Sequence, residues 1–357
     1  MKSLLSFTLE ELKDEVKALG WEEYRASQIL NWLYKKFETD FDRMTNLSKE
    51  HRQKLKELYT VHTLTMVGKV PASDSTKYLF KTHDGHIIET VLIRERDHLT
   101  LCVSSQVGCA VGCTFCATAL DGLKRNLTTE EIVDQFLQVQ RDIPERIRNV
   151  VFMGMGEPLA NYENVRKAVS ILVSPWGVDL SKRRVSISTS GLIAQLRRMA
   201  QDPLMRELNL AVSINATTQS QREILMPITK TNTLEELFNT LKEFPYPPDR
   251  RIMLEYVLIE GVNDTKEDAI RLANLIGRHK KKFKVNLIPY NPDPILPYRR
   301  PTMDRVYTFQ KVLWDKGISA FIRISKGIEV FGACGQLRIR RHHEDRRLLD
   351  YLSFHVK

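Results

Sequence analysis

The chain has 357 residues, 42% hydrophobic and 27% charged, ordinary for a globular protein and long enough for two or three domains around a large core. No apolar run approaches the ~18 residues of a membrane span, and "MKSLLSFTLEELKDEVKALG" lacks the apolar stretch and cleavage site of a signal peptide, so the chain reads as cytoplasmic, with no membrane partner and reduced thiols. A net charge of +10 favours a polyanionic partner such as nucleic acid, but weakly.

The first 60 residues read as helices. "TLEELKDEVKALG" carries apolar residues at helical spacing behind a Thr cap, "YRASQILNWLYKKF" repeats the pattern with basic and aromatic faces, and "NLSKEHRQKLKEL" makes a third helix. The period then changes. "TLTMVGKV", "STKYLFKT", "HIIETVLI" and "LTLCVSS" look like strands, with "HDGH" as a hairpin turn. From Cys102 onward strands and helices alternate. The strands are "NVVFM", "RVSIS", "LNLAVSI", "IMLEYVLI", "KVNLIPY" and "ISAFIRI". The helices between them are "TTEEIVDQFLQVQ", "YENVRKAVSIL", "LIAQLRRMAQ", "TLEELFNTLKEF", "TKEDAIRLANLIGRHKK" and "MDRVYTFQKVLWDKG". This is an α/β pattern with a parallel sheet. Alternation alone leaves a curled barrel and an open doubly wound sheet as alternatives. Basic residues cluster in "RHKKKFK" (278–284) and in the tail "RIRRHHEDRRLL" (338–349); they read as phosphate contacts or as solvated faces.

In either architecture chemistry sits at the C-terminal ends of the strands. Polar and glycine-rich stretches follow the strands here: "GMGEP" (154–158), "STSG" from Ser188, then Ser213 and Asn215, Asn291, and Cys334 in "GACGQL". The loop after "LTLCVSS" joins the same rim and holds "CVSSQVGCAVGCTFC", with four of the five cysteines. An odd, clustered set argues against a secreted disulfide framework and for a metal or redox role. Cys109, Cys113 and Cys116 are spaced C-x-x-x-C-x-x-C. Structural zinc would want four ligands, and no second C-x-x-C exists. A C-x-x-C redox pair would leave Cys109 unexplained. Three thiolates on an iron–sulfur cluster leave one iron open to a ligand.

That spacing, with Phe115 before the last cysteine, resembles the radical S-adenosylmethionine superfamily. "LCVSSQVGCAVGCTFCAT", "GLKRNLT", "VFMGMGEPLAN", "VSISTSG", "MPI", "GVND", "VNLIPYNP" and "ACGQL", from about Glu89 to Leu337, are similar in order to the dual-specificity rRNA/tRNA adenine carbon-2 methyltransferases, and "RASQI" in the helical N-terminus also fits. The resemblance implies a partial (β/α) barrel core over 98–337. Before it come an N-terminal helical RNA-binding accessory domain (1–60) and a short β-rich connector (61–97); a basic tail (338–357) follows. It implies one 4Fe–4S cluster on Cys109, Cys113 and Cys116, and two S-adenosylmethionine molecules consumed per methylation. Gly156 and Glu157 would meet the methionine portion, and Ser188, Ser213, Ile214, Asn215 and Asn291 would complete the cofactor pocket.

In the family, carbon 2 of adenine is too electrophilic to attack a sulfonium methyl. Cys334 matches the cysteine that first accepts a methyl group. A radical from the second S-adenosylmethionine removes a hydrogen from that methyl, and the carbon radical adds to carbon 2. Cys102 matches the resolving thiol, which forms a disulfide with Cys334 and frees the base, and Glu89 matches the proton acceptor of that step. Gly332 and Gly335 suit a mobile or unusual backbone around Cys334. Substrates would be adenine 2503 of 23S rRNA and adenine 37 of tRNA, with flavodoxin or ferredoxin as electron donor and a monomeric chain. Two departures stand out. Asn215 replaces the family's common His, and "KGIEVFG" lacks an acidic pair often found before the methyl-carrying cysteine. A sister group that methylates carbon 8 shares both cysteines and the cluster, and Pro158 leans toward carbon 2. A zinc-bound, non-enzymatic RNA-binding protein is the remaining reading.

Overall fold

The structure, a computed structural model, describes residues 1–338. The remainder of the basic tail lies outside the described residues. The N-terminal segment contains α1 (Leu9–Ala18), α2 (Tyr24–Tyr34) and α3 (Lys49–Leu58). Thr8 and Glu11 close a capping box at the start of α1, and Ser48 caps α3. A two-residue parallel pair, β1 (Lys2–Ser3) with β2 (Tyr59–Thr60), ties the chain start to the end of α3. Leu4, Leu5, Ile29, Leu30 and Leu33 are buried in the same core that continues into the rest of the molecule.

The main sheet follows. Its strands are β3 (Leu64–Pro71), β4 (Ser75–Thr82), β5 (Ile87–Arg94), β6 (Leu99–Cys102), β9 (Ile147–Phe152), β10 (Val185–Thr189), β11 (Asn209–Ser213), β12 (Ile252–Leu258), β13 (Phe283–Pro289) and β14 (Ala320–Ile322), and between β6 and β9 comes the small pair β7 (Gln106–Val107) and β8 (Arg125–Asn126). The ten strands form one sheet in the order β14-β13-β12-β11-β10-β9-β6-β5-β4-β3. The β3–β5 meander pairs antiparallel and joins β6 directly, so the strands expected in the connector extend the sheet of the core. "HDGH" makes the β4–β5 turn with Gly85 at φ +89°.

Within the main sheet every pairing from β6 to β14 is parallel, and each strand lies beside the next of that sheet in sequence. A doubly wound sheet reverses direction at a switch point. None occurs here, so the right-handed crossovers place their helices in one layer and the sheet curls as a partial barrel. Those helices are α4 (Thr129–Asp142), α5 (Tyr162–Val173), α6 (Ile193–Gln201), α7 (Gln219–Leu225), α8 (Leu234–Glu243), α9 (Lys266–Ile276) and α10 (Met303–Asp315). In that layer α4 packs on α5, α6 on α8, α8 on α9 and α9 on α10. Thr128 with Glu131 and Thr265 with Asp268 repeat the capping box at α4 and α9. The C-terminal ends of seven parallel strands therefore share one rim. No helix among the described residues is long and apolar enough to cross a membrane.

Candidate functional site

The rim is assembled around the exit of β6. The loop after β9 lies against residues 103–106: Ser105 N–H and Gln106 N–H donate to Met155 O at 2.9 and 3.2 Å, and Met155 N–H donates to Ser104 Oγ at 2.9 Å. Glycine is required there. A Cβ on Gly154 would stand 2.7 Å from Val103 O, and one on Gly156, at φ +101°, would stand 2.5 Å from Gln106 Cβ. Glu157 N–H then donates to Gln106 Oε1 at 2.8 Å. The buried Glu157 carboxylate accepts from Leu159 N–H at 3.0 Å and Ser190 N–H at 2.6 Å, joining the loops after β9 and β10. Burial pushes its pKa up and those N–H groups oppose the push.

Residues 108–124 form the cysteine loop, closed at its base by the β7–β8 ladder. Arg125 clamps that base with bonds to Asp84 in the hairpin turn and to Glu131 of α4. Gly108 is indispensable, since a Cβ there would lie 1.9 Å from Gly122 O. The loop is tied to α7 by Thr114 N–H donating to Leu225 O at 3.0 Å, and to the Cys334 segment by Ala117 N–H donating to Gly335 O at 2.7 Å.

Cys109, Cys113 and Cys116 line one cavity with Gly156, Glu157, Ser188, Ser213, Asn215, Asn291 and Cys334. Burial pushes Cys109 up to about 12, and Cys113 is raised well above the ordinary thiol value by burial and then by Cys116 and Cys109. All three are free thiols. They are desolvated and mutually repulsive as thiolates, a condition that bound iron relieves. Among the described residues no three such ligating side chains converge on one ion-sized point. A structural zinc would take four ligands, whereas an iron–sulfur cluster can be held by three thiolates with one iron left open. The donor set fits the cluster.

The other sequence-predicted residues divide. Ile214 does not reach the cavity: its side chain is fully buried, its N–H donates to Glu255 O at 2.9 Å, and its carbonyl accepts from Arg222 at 3.1 Å. Asn215 takes φ +56°, a region asparagine tolerates well, and its Oδ1 accepts from Val257 N–H at 2.9 Å. Asn291 donates to Ser325 Oγ at 2.9 Å and to Cys334 O at 3.2 Å, so it also fixes the Cys334 segment. Gly335 is left-handed at φ +82°, whereas Gly332 provides close approach, with Val91 only 3.3 Å from where a Cβ would stand.

Cys102 opens onto a second cavity that shares Cys334, Met153 and Arg323 with the first. Burial, then Cys334, pushes the Cys102 thiol up to about 12, and Arg323 pulls it down. Val91 is the register partner of Cys102 and lies two residues from Glu89, so all three share the sheet face met by the Cys334 segment. Glu89 lines neither cavity. It is 2% exposed and pairs with Lys77 at 3.3 Å. The lysines at 280–282 precede β13 and so lie at the opposite end of the sheet from the cysteine loop.

Sequence reasoning missed Arg222, Glu255, Arg323 and Lys77. Glu255 and Arg323 sit as lone charges within the apolar runs "IMLEYVLI" and "ISAFIRI", which was the available signal. Arg222 on α7 is completely buried. Its guanidinium donates to Ser190 O, Ser213 O, Ile214 O and Thr229 Oγ1 at 2.6–3.1 Å, stapling the ends of β10 and β11.

Residues 2–61 match the family model "Ribosomal RNA large subunit methyltransferase N-terminal domain", and 103–273 match "Radical SAM superfamily". The chain is 69% identical over 342 residues to a probable dual-specificity RNA methyltransferase RlmN of Aquifex aeolicus, covering 96% of this chain and 98% of that one. It is 46% identical over 336 residues to the dual-specificity RNA methyltransferase RlmN of Geotalea uraniireducens, covering 94% and 96%. A crystal structure of a radical SAM methyltransferase from Sphaerobacter thermophilus superposes with a TM-score of 0.90 at 41% identity, covering 95% of this chain and 99% of that one.

Proposed function

Since the chain belongs to the radical SAM family of dual-specificity RNA methyltransferases RlmN, we propose that it methylates carbon 2 of adenine at position 2503 of 23S rRNA and position 37 of tRNA. It is an S-adenosylmethionine-dependent RNA methyltransferase whose cofactors are a 4Fe–4S cluster and S-adenosylmethionine. When bound, the cluster supplies the electron that cleaves S-adenosylmethionine homolytically.

The observation that carries the proposal is the shared wall of the two cavities, where Cys334 faces the cofactor side and also the side that holds Cys102. Cys109, Cys113 and Cys116 hold the cluster. Gly156 gives close backbone approach beside it, and Glu157 keeps that loop fixed to the loop after β10. Ser188, Ser213 and Asn291 present polar groups to the cofactor, with Asn291 also setting the height of Cys334. Cys334 accepts the first methyl group on Sγ and becomes covalently joined to carbon 2 through it. The Cys102 thiolate then attacks Cys334 Sγ; the S–S bond forms as the S–CH2 bond breaks, the released electron pair takes up a proton to complete the new methyl group, and Glu89 serves as acceptor for the proton that carbon 2 gives up. Arg323 lines both cavities, and its positive charge favours the thiolate form of Cys102.

Residues 1–60 would grip RNA as an accessory domain. The chain acts as a cytoplasmic monomer and takes its electron from flavodoxin or ferredoxin. Mass spectrometry of nucleosides from rRNA and tRNA, with and without the gene, tests the reading: 2-methyladenosine should vanish from both RNAs without it. Loss of 8-methyladenosine instead would assign the chain to the carbon-8 reaction.

A further inference from the structure

The cavity holds one carboxylate that the reaction above leaves unused. Glu255 lies mid-strand on β12, in register with Ser213 of β11 and Asn286 of β13. It is 5% exposed and lines the cavity that contains the cluster cysteines. Its Oε2 accepts from Asn286 Nδ2 at 2.9 Å. Its Oε1 is buried and, among the described residues, meets no donor. Buried carboxylate oxygens are costly unless a donor reaches them. Burial raises the Glu255 pKa, and Arg323, then the Asn286 bond, oppose that.

Three strand residues separate Glu255 from the end of β12, so it sits below the rim and meets whichever ligand seats deepest. The methionine end of S-adenosylmethionine is assigned to the Gly156 side, which leaves the adenosyl portion for the β11–β13 side. A ribose there offers two neutral O–H donors to an acceptor that has only one oxygen occupied. Dinucleotide-binding folds use a single carboxylate for the same diol. We propose that Glu255 Oε1 accepts a hydrogen bond from a ribose hydroxyl of the adenosyl group. This rests on the assignment of the cavity to S-adenosylmethionine.

Anaerobic equilibrium dialysis of cluster-loaded, unreduced protein tests it with S-adenosylmethionine and its 2′-deoxy and 3′-deoxy analogues. Wild-type protein should bind one analogue roughly tenfold to a hundredfold more weakly, as expected for a bond to a charged acceptor. Glu255→Ala should lose a similar factor for S-adenosylmethionine and should no longer discriminate against that analogue. Glu255→Gln keeps shape and an acceptor oxygen, and should fall between. Iron content and visible absorption, measured on every sample, report cluster loading apart from the ribose contact. Wild-type protein that binds both analogues as tightly as S-adenosylmethionine overturns the proposal whatever the variants do. So does a Glu255→Ala protein that still discriminates by the wild-type factor, or one that loses only RNA affinity, which would give Oε1 to the substrate base. Loaded wild-type protein that binds no S-adenosylmethionine would overturn the cavity assignment together with the proposal.

Discussion

Arg222→Met removes the guanidinium that staples two strand ends while keeping an unbranched apolar stem. Three acceptors lose this donor with no other side-chain or loop bond to replace it, the carbonyls of Ser190 and Ser213 and Thr229 Oγ1, while the Ile214 carbonyl keeps Ala216 N–H at 2.8 Å. Each buried, unsatisfied acceptor costs about 1–3 kcal/mol, partly offset because the desolvation of a buried cation is also removed. A net destabilisation of about 3–5 kcal/mol follows. For 357 residues the unfolding entropy is about 0.75 kcal/mol/K, so Tm should fall about 4–7 °C. Scanning calorimetry of the cluster-free protein measures this. Arg222→Lys should recover little, because one ammonium cannot span four acceptors set around a planar fork. Affinity for S-adenosylmethionine should fall as well, since Ser213 and Asn215 line the cavity from the stapled segment. A Tm within 1 °C of wild type would refute the staple. A lowered Tm with unchanged cofactor affinity would refute its link to the site.

Cys113→Ala should lose the visible absorption and most of the iron after anaerobic reconstitution; iron analysis matching wild type would show that this thiol is not a ligand. Gly156→Ala forces a side chain into a left-handed backbone and against Gln106, at about 2–4 kcal/mol, so calorimetry should record a Tm lower by about 3–5 °C, and an unchanged Tm would mean that the loop packs more loosely. Glu89→Gln should accumulate a protein–RNA adduct whose decay quickens with pH. The sign follows from Cys102, whose thiol is pushed up to about 12 by burial, so its thiolate fraction grows about tenfold per pH unit below that value. Gel analysis of adduct decay from pH 7 to 9 measures this, and decay as fast as wild type at pH 7 would remove Glu89 from the step.

Periodicity carried most of the fold. The apolar faces of α4, α5 and α9 and the β3–β5 meander are local patterns, and Thr128 and Thr265 mark their helix starts directly. Alternation of strands and helices could not distinguish a barrel from a doubly wound sheet, because spatial strand order is a long-range property. The cysteine loop was legible because three cysteines lie within eight residues. Arg222 was not, because α7 spans seven residues and is too short to display a face. Lys77 acts through Glu89 on the neighbouring strand, and register across a sheet leaves no trace in linear spacing. Asn215 looked like a lost imidazole; its left-handed backbone and its bond to Val257 give the amide a task of its own. The lysines of "RHKKKFK" suggested RNA contacts on charge alone, but strand direction sends them away from the rim.

The central claim is that Cys334 becomes bonded to RNA and that Cys102 releases it. Cys102→Ala protein, isolated from cells with its cluster loaded, tests this most directly. The account predicts a nuclease-sensitive shifted band on denaturing gels, with a nucleotide adduct that mass spectrometry places on Cys334, and no such band in the Cys102→Ala, Cys334→Ala double variant. Cluster-loaded Cys102→Ala protein that is inactive yet free of RNA would contradict it and leave Cys102 as a packed structural thiol.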